Sequence, residues 1–175
     1  MIENKDLSVY FDTLLYVFKY KGIIRKLILD YKFEEKSFLY KTFVNFLLKD
    51  KKFFEILKTY DTIIPVPISK KRKKERGYNQ SALIAEDLGK KLHLKIVKNE
   101  LVKIKDIKKQ STLNGEERKI NVQGAYGLRH RYNLENKKIL LVDDIYTTGS
   151  TVNECAKTLR KIKINKVDVL TIAKD

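Results

Sequence analysis

The chain has 175 residues, enough for one domain with a substantial apolar core. Its formal charge of +16, carried mostly by lysine, predicts attraction to polyanions: phosphorylated small molecules, nucleic acid or acidic partners. With one Cys and two His it can build neither a disulfide nor a Cys-rich zinc site alone, and no apolar run approaches the ~20 residues of a membrane span. No signal peptide is visible, so a reducing, cytoplasmic location without membrane insertion is expected.

The apolar and aromatic opening predicts a strand over residues 13–19, ended by Gly22. Ile23, Ile24, Leu27, Ile28 and Tyr31 then mark an amphipathic helix. A second helix is expected from about Ser37, with Leu39, Phe43, Phe46 and Leu47 on one face. The polar run Lys49 to Lys52 should bend or interrupt it before Phe53, Phe54 and Leu57. These aromatics read most simply as core; a base-stacking platform is the lesser reading, since such platforms stand on exposed basic faces. Thr62 to Val66 is the next strand, and Pro65 and Pro67 end it because proline cannot donate into a sheet ladder. After the charge run Lys70 to Arg76, Gly77 and the cap residue Asn79 open a helix with Ile84, Ala85, Leu88 and Leu92 as its buried stripe. His93 reads as the helix end. Leu94 to Val97 is a short strand candidate, and the lysine-rich segment onward to residue 110 has no clear period and is expected as a mobile loop. Asn114 to Glu117 has capping-box spacing and would open a short helix through Arg118 and Ile120. Gly124 to Leu128 is expected as a short strand, and Val167 to Ile172 as the last.

The stretch from Lys138 to Thr151 organises the rest. Ile139 to Val142 is apolar without alternation, as in a central parallel strand covered on both faces. Asp143 and Asp144 follow at its carboxyl end, where open α/β sheets bind ligands. A hydroxyl-rich turn with one glycine, Thr147-Thr148-Gly149-Ser150-Thr151, then leads into a helix whose stripe is Val152, Cys155, Ala156, Leu159 and Ile162. Free backbone N–H groups and the positive end of a helix dipole make that turn an anion site suited to a phosphate monoester. Adjacent strand residues point to opposite faces, so the two acids should differ in role. Because acids repel phosphate, they suit hydroxyls or a bridging divalent ion. A phosphorylated sugar with Mg²⁺ meets all these demands.

Val142 to Thr151 resembles the phosphoribosyl-pyrophosphate (PRPP) motif of type I phosphoribosyltransferases. The resemblance implies a single α/β domain over residues 1–175, with an open parallel sheet flanked by helices. An amino-terminal hood over residues 1–35 would cap the strand ends of a core at 60–175. It implies that Asp143 and Asp144 hold the ribose hydroxyls, that Thr147, Thr148, Gly149, Ser150 and Thr151 hold the 5′-phosphate, and that Mg²⁺ arrives with PRPP. Pro67, Ile68, Ser69, Lys70, Arg76 and Gln110 would contact pyrophosphate; in that family the loop at Ile68 often carries a non-proline cis peptide. For the run Lys70 to Arg76 three readings stand: a solvated loop, a pyrophosphate clamp, or a nucleic-acid contact.

Further residues narrow the branch. Pro65-Val66-Pro67 with Arg76-Gly77-Tyr78-Asn79-Gln80 is similar to the ComF/GntX group. So is Gln110 with Leu113, Arg118, Asn121, Gly124, Ala125 and Tyr126, as is the Tyr20-Lys21-Gly22 segment with Ile28 and Tyr31-Lys32-Phe33. Two departures stand out. The amino-terminal Cys-rich zinc segment common in that group has no counterpart here, and Lys103, Lys105 and Ile107 stand where arginines and a threonine are usual, which loosens phosphate contacts. Thr147 also replaces the acid that 6-oxopurine salvage enzymes place in the turn, which argues against hypoxanthine–guanine salvage. The resemblance implies a PRPP-binding protein of DNA uptake in natural transformation, with single-stranded DNA and competence proteins as partners. The alternatives are a phosphoribosyltransferase that moves the sugar phosphate to an unknown nucleophile with release of pyrophosphate, and a nucleotide-sensing regulator.

Overall fold

In the computed structural model, which describes residues 2–4, 9–34, 36–105 and 122–175, Ile139 to Val142 lie fully buried in the middle of a six-stranded sheet. The strands are β1 (Ile2–Asn4), β2 (Thr13–Lys19), β3 (Thr62–Pro65), β4 (Lys95–Ile96), β5 (Leu101–Lys103), β6 (Tyr126–Leu128), β7 (Lys138–Tyr146) and β8 (Lys166–Lys174). The helices, numbered in chain order, are α1 (Gly22–Phe33), α2 (Leu39–Lys49), α3 (Lys51–Leu57), α4 (Lys70–Arg76), α5 (Gln80–Leu92) and α6 (Ser150–Leu159). The main sheet runs β1-β2-β8-β7-β3-β4; β2 through β4 are parallel, and β1 joins the edge antiparallel to β2. β5 and β6 form a separate antiparallel ribbon.

Alternation along the strands splits the core in two. Leu140, Val142 and Ile63 face α1, α2 and α5, meeting Ile28, Phe43, Ile84 and Leu88. Ile139, Leu141 and Ile64 face α6 and the ribbon, meeting Val152, Cys155, Leu159 and Tyr126. Helices on both faces allow the central strands to be apolar throughout. After β3 the chain moves outward to β4, whereas after β7 it moves the other way to β8, so the strand order reverses between β3 and β7. The carboxyl ends of those two strands flank the crevice where doubly wound sheets bind their ligands.

Several expectations change in detail. The strand at 13–19 enters the sheet itself, paired in parallel with β8, so of the expected hood it is α1 that stands at the strand ends. Phe46 is half exposed; Val44 takes the buried place beside Leu39, Phe43 and Leu47. Asp50 interrupts the polar run by accepting the Lys52 and Phe53 amide hydrogens, which caps α3. The charge run is a helix, α4, instead of a loop: Ser69 accepts from the Arg72 amide at its start, and Gly77 at φ +77° ends it. Residues 101–103, expected in a loop, pair with β6. Residues 106–110 of that loop, the capping box at Asn114, and Gln110, Leu113, Arg118 and Asn121 lie outside the described residues.

Candidate functional site

The apolar run of β7 stops at Val142, but its ladder with β8 continues to Tyr146, so Asp143 and Asp144 belong to the strand. They are not on an exposed end: Asp144 is 7% exposed, and Asp143 is half-buried. Strand alternation sends the two carboxylates to opposite sides. Asp144 meets α1, where its Oδ1 lies 2.9 Å from Lys32 Nζ. Asp143 lies toward Cys155 and Tyr126 of the other face; its Oδ1 accepts from Ser81 Oγ (2.7 Å) and from the Asp144 amide (2.9 Å). Burial, reinforced by the Asp144 charge, raises the Asp143 carboxyl to about 7; the Ser81 hydrogen bond and the Lys32 charge hold it from rising further.

The turn after β7 reverses on Gly149 at φ +72°, a conformation that side chains disfavour. A Cβ there would also fall on the Tyr146 phenol, so the obstruction is a neighbouring ring in addition to any approaching phosphate. The Thr148 and Ser150 hydroxyls are 2.8 Å apart, and the α6 amino terminus has no side-chain cap and no acid in its first turn. The Ser150 amide makes a long contact of 3.5 Å to Thr148 Oγ1, and the amides after it are available to an anion, which the helix dipole favours. Tyr126, buried, hydrogen bonds with Thr151 and supports the turn from below; burial pushes its phenol up.

Across the crevice, β3 ends in Pro65-Val66-Pro67. Asn79 Nδ2 donates to the Val66 carbonyl (3.0 Å) and Asn79 Oδ1 caps α5, which locks the start of that helix against the strand end. One residue on, Gln80 is buried: its carbonyl accepts from Tyr31 Oη (2.7 Å), and its Oε1 from Arg76 (3.2 Å). Its Nε2 finds no partner among the described residues. The Arg76 guanidinium lies 5.0 Å over the Phe33 ring, and partial burial lowers its pKa from the usual range.

These parts line an open cleft of about 140 Å³. Asp143, Asp144 and all of Thr147, Thr148, Gly149, Ser150 and Thr151 line it, as do Pro67, Ile68 and Arg76. Ser69 and Lys70 do not: Ser69 is engaged in capping α4 and Lys70 is exposed. Among the described residues no peptide bond is cis. The cleft also takes in Lys32, Gln80, Ser81 and Tyr126, given no site role from the sequence, together with Arg72 of the charge run and Lys103, for which phosphate contacts were expected. The Arg-Gly-Tyr-Asn-Gln and Tyr-Lys-Phe patterns pointed to some of these, but only as marks of resemblance.

Residues 79–175 match the phosphoribosyl transferase domain model. The chain belongs to that family. Its similarity to the ComF group also stands: it is 35% identical over 119 residues to Competence protein F of Haemophilus influenzae, covering 67% of this chain and 52% of that protein. It is 34% identical over 97 residues to Competence protein ComFC of Bacillus subtilis, covering 55% and 37%, and 33% identical over 103 residues to DNA utilization protein YhgH of Escherichia coli K12, covering 59% and 44%. The chain thus spans about half the length of these relatives, or less. In fold it is similar to adenine phosphoribosyltransferase from Leishmania tarentolae (TM-score 0.52, 11% identity, 99% of this chain and 95% of that one). It is likewise similar to purine phosphoribosyltransferase from Pyrococcus horikoshii (TM-score 0.51, 11% identity, 93% and 88%). Among the described residues no helix is long and apolar enough to cross a membrane.

Proposed function

We propose that the cleft binds PRPP and that the protein acts, as a ComF-like PRPP-binding protein, in the handling of DNA during uptake. One observation carries the ligand: the acid pair of β7 and the amino terminus of α6, whose cap residue Gly149 lies five residues beyond Asp144, meet at the topological switch point. In this reading the turn from Thr147 to Thr151 holds the 5′-phosphate, and Asp143 and Asp144 accept from the ribose hydroxyls. Pro67, Ile68, Arg72 and Arg76 face the pyrophosphate. The acid pair and the cations Lys32, Arg72, Arg76 and Lys103 fit a ligand that carries both hydroxyls and a metal-bound pyrophosphate. Mg²⁺, when bound to PRPP, would neutralise part of the pyrophosphate charge. The names of the relatives, competence and DNA utilization proteins, support the biological setting.

The test is calorimetric titration of PRPP, with and without Mg²⁺, into wild type and Asp143→Asn/Asp144→Asn. Asn is the better replacement than Ala, because both acids are packed and hydrogen bonded. Binding by wild type and its loss in the folded variant is the expected result. Undiminished binding by the variant would overturn the site assignment.

A second reading, phosphoribosyl transfer, is favoured by Asp143. A carboxyl group near pH 7 in the cleft can take a proton at neutral pH. A nucleophile would attack C1 of the ribose as the bond to pyrophosphate breaks, and its proton would pass to Asp143. Pyrophosphate release with a panel of nitrogen nucleophiles separates this reading from binding alone.

A further inference from the structure

Lys32 lies outside the part of the chain that matches the family model, yet it reaches the acid pair. Its neighbours fix it there. Tyr31 is fully buried, stacks edge-on against Phe43, and donates its hydroxyl to the Gln80 carbonyl. Phe33, on the other side, lies under the Arg76 guanidinium. The last turn of α1 is therefore clamped to the start of α5 and the end of α4, and Lys32 between those anchors projects into the cleft with only 18% of its side chain exposed. A lysine held in this way has lost most of the rotamer freedom that makes ordinary surface ion pairs weak.

The ammonium group has three donors and pairs with one oxygen of Asp144, so capacity remains on both partners. Asp144 Oδ2 can still accept from a hydroxyl, and Lys32 can still donate to a phosphate. Arg72 and Arg76 line the same cleft. We infer that Lys32 is a built-in cation that bridges the acid pair and the pyrophosphate of the ligand, and so takes over part of the charge neutralisation that Mg²⁺ supplies. The inference rests on the PRPP reading above and deepens it: this protein binds PRPP with a reduced need for divalent metal.

The experiment compares PRPP affinity with and without Mg²⁺ in wild type, Lys32→Gln and Lys32→Arg, with thermal melts of each. A charge-assisted hydrogen bond of the usual strength predicts that Lys32→Gln weakens metal-free binding by roughly tenfold or more. Metal-loaded binding should change by less than about threefold, and Lys32→Arg should restore most of the metal-free affinity. A purely structural role would lower both affinities by the same factor, and that result, or no change in either, overturns the inference while leaving PRPP binding intact. If Lys32→Gln does not fold, wild type decides alone: metal-free binding weaker than metal-loaded binding by more than about a thousandfold overturns it. No binding by folded wild type in either condition overturns the PRPP reading itself, and Lys32 with it.

Discussion

Asp143 stands between two opposed demands. Ribose hydroxyls donate best to an ionised carboxylate, yet burial and Asp144 raise its pKa to about 7. PRPP affinity should therefore rise as pH increases through about 7, and Asp143→Asn should remove that rise. Ser81→Ala should move the midpoint upward, because the Ser81 hydroxyl stabilises the charged form. Stability has the opposite sign. A carboxyl raised from 3.8 contributes stability that is complete below that value and is lost as pH rises through about 7. Melting curves at about pH 5 and about pH 8 should show wild type gaining at the lower pH relative to Asp143→Asn. A pH-independent difference would show that Asp143 is already ionised in the folded protein. The raised pKa was not legible from the residue letters. Two adjacent acids after an apolar run announced a ligand site, and strand alternation already sent them to opposite faces; that one meets Lys32 and the other Ser81 is a product of the tertiary fold.

The helix α4 shows where sequence reading fails at the scale of elements. It has no buried residue, so apolar periodicity, the main signal of a helix, has nothing to report. What makes it helical is the good intrinsic propensity of Lys, Arg and Glu together with two caps, Ser69 and Gly77. Ser69→Ala should cost about 1 kcal/mol. It should also weaken pyrophosphate binding, because α4 carries Arg72 and Arg76 to the cleft, whereas Lys70→Gln should leave that binding unchanged. Equal losses in the two variants, measured by titration of pyrophosphate, would mean that charge density matters and helix geometry does not. By contrast, α5, α6 and β7 were readable because their apolar stripes or runs are long and buried. The extension of β7 past Val142 was not, since it depends on backbone pairing with β8, which hydropathy does not record.

For the molecule as a whole, a charge of +16 favours sequence-independent binding of single-stranded DNA. The fold sharpens the test, because Arg72 faces the cleft while Lys71, Lys73 and Lys74 are exposed on α4. A triple Lys→Gln variant at those three positions should bind PRPP normally. It should show a flatter dependence of log affinity on log salt, by about 0.7 per lost phosphate contact. Identical slopes would remove α4 as a DNA contact. The parallel-sheet class was legible from the alternation of strands and helices. The placement of the amino-terminal segment was not, because β2 meets β8 from the far end of the chain, and nothing local encodes that partnership.

That partnership has a practical outcome. Val167 to Ala173 are buried without a break, and β2 covers the side of β8 that β7 leaves open. A fragment holding only residues 60–175 would keep the whole sugar-phosphate motif but turn this long buried strand into a bare sheet edge, a template for strand exchange between copies. Such a fragment should elute as oligomers or precipitate in size-exclusion chromatography, and adding a peptide spanning residues 9–34 should return part of it to the monomer. The amino-terminal segment is the edge protection of this sheet as much as it is a wall of the cleft.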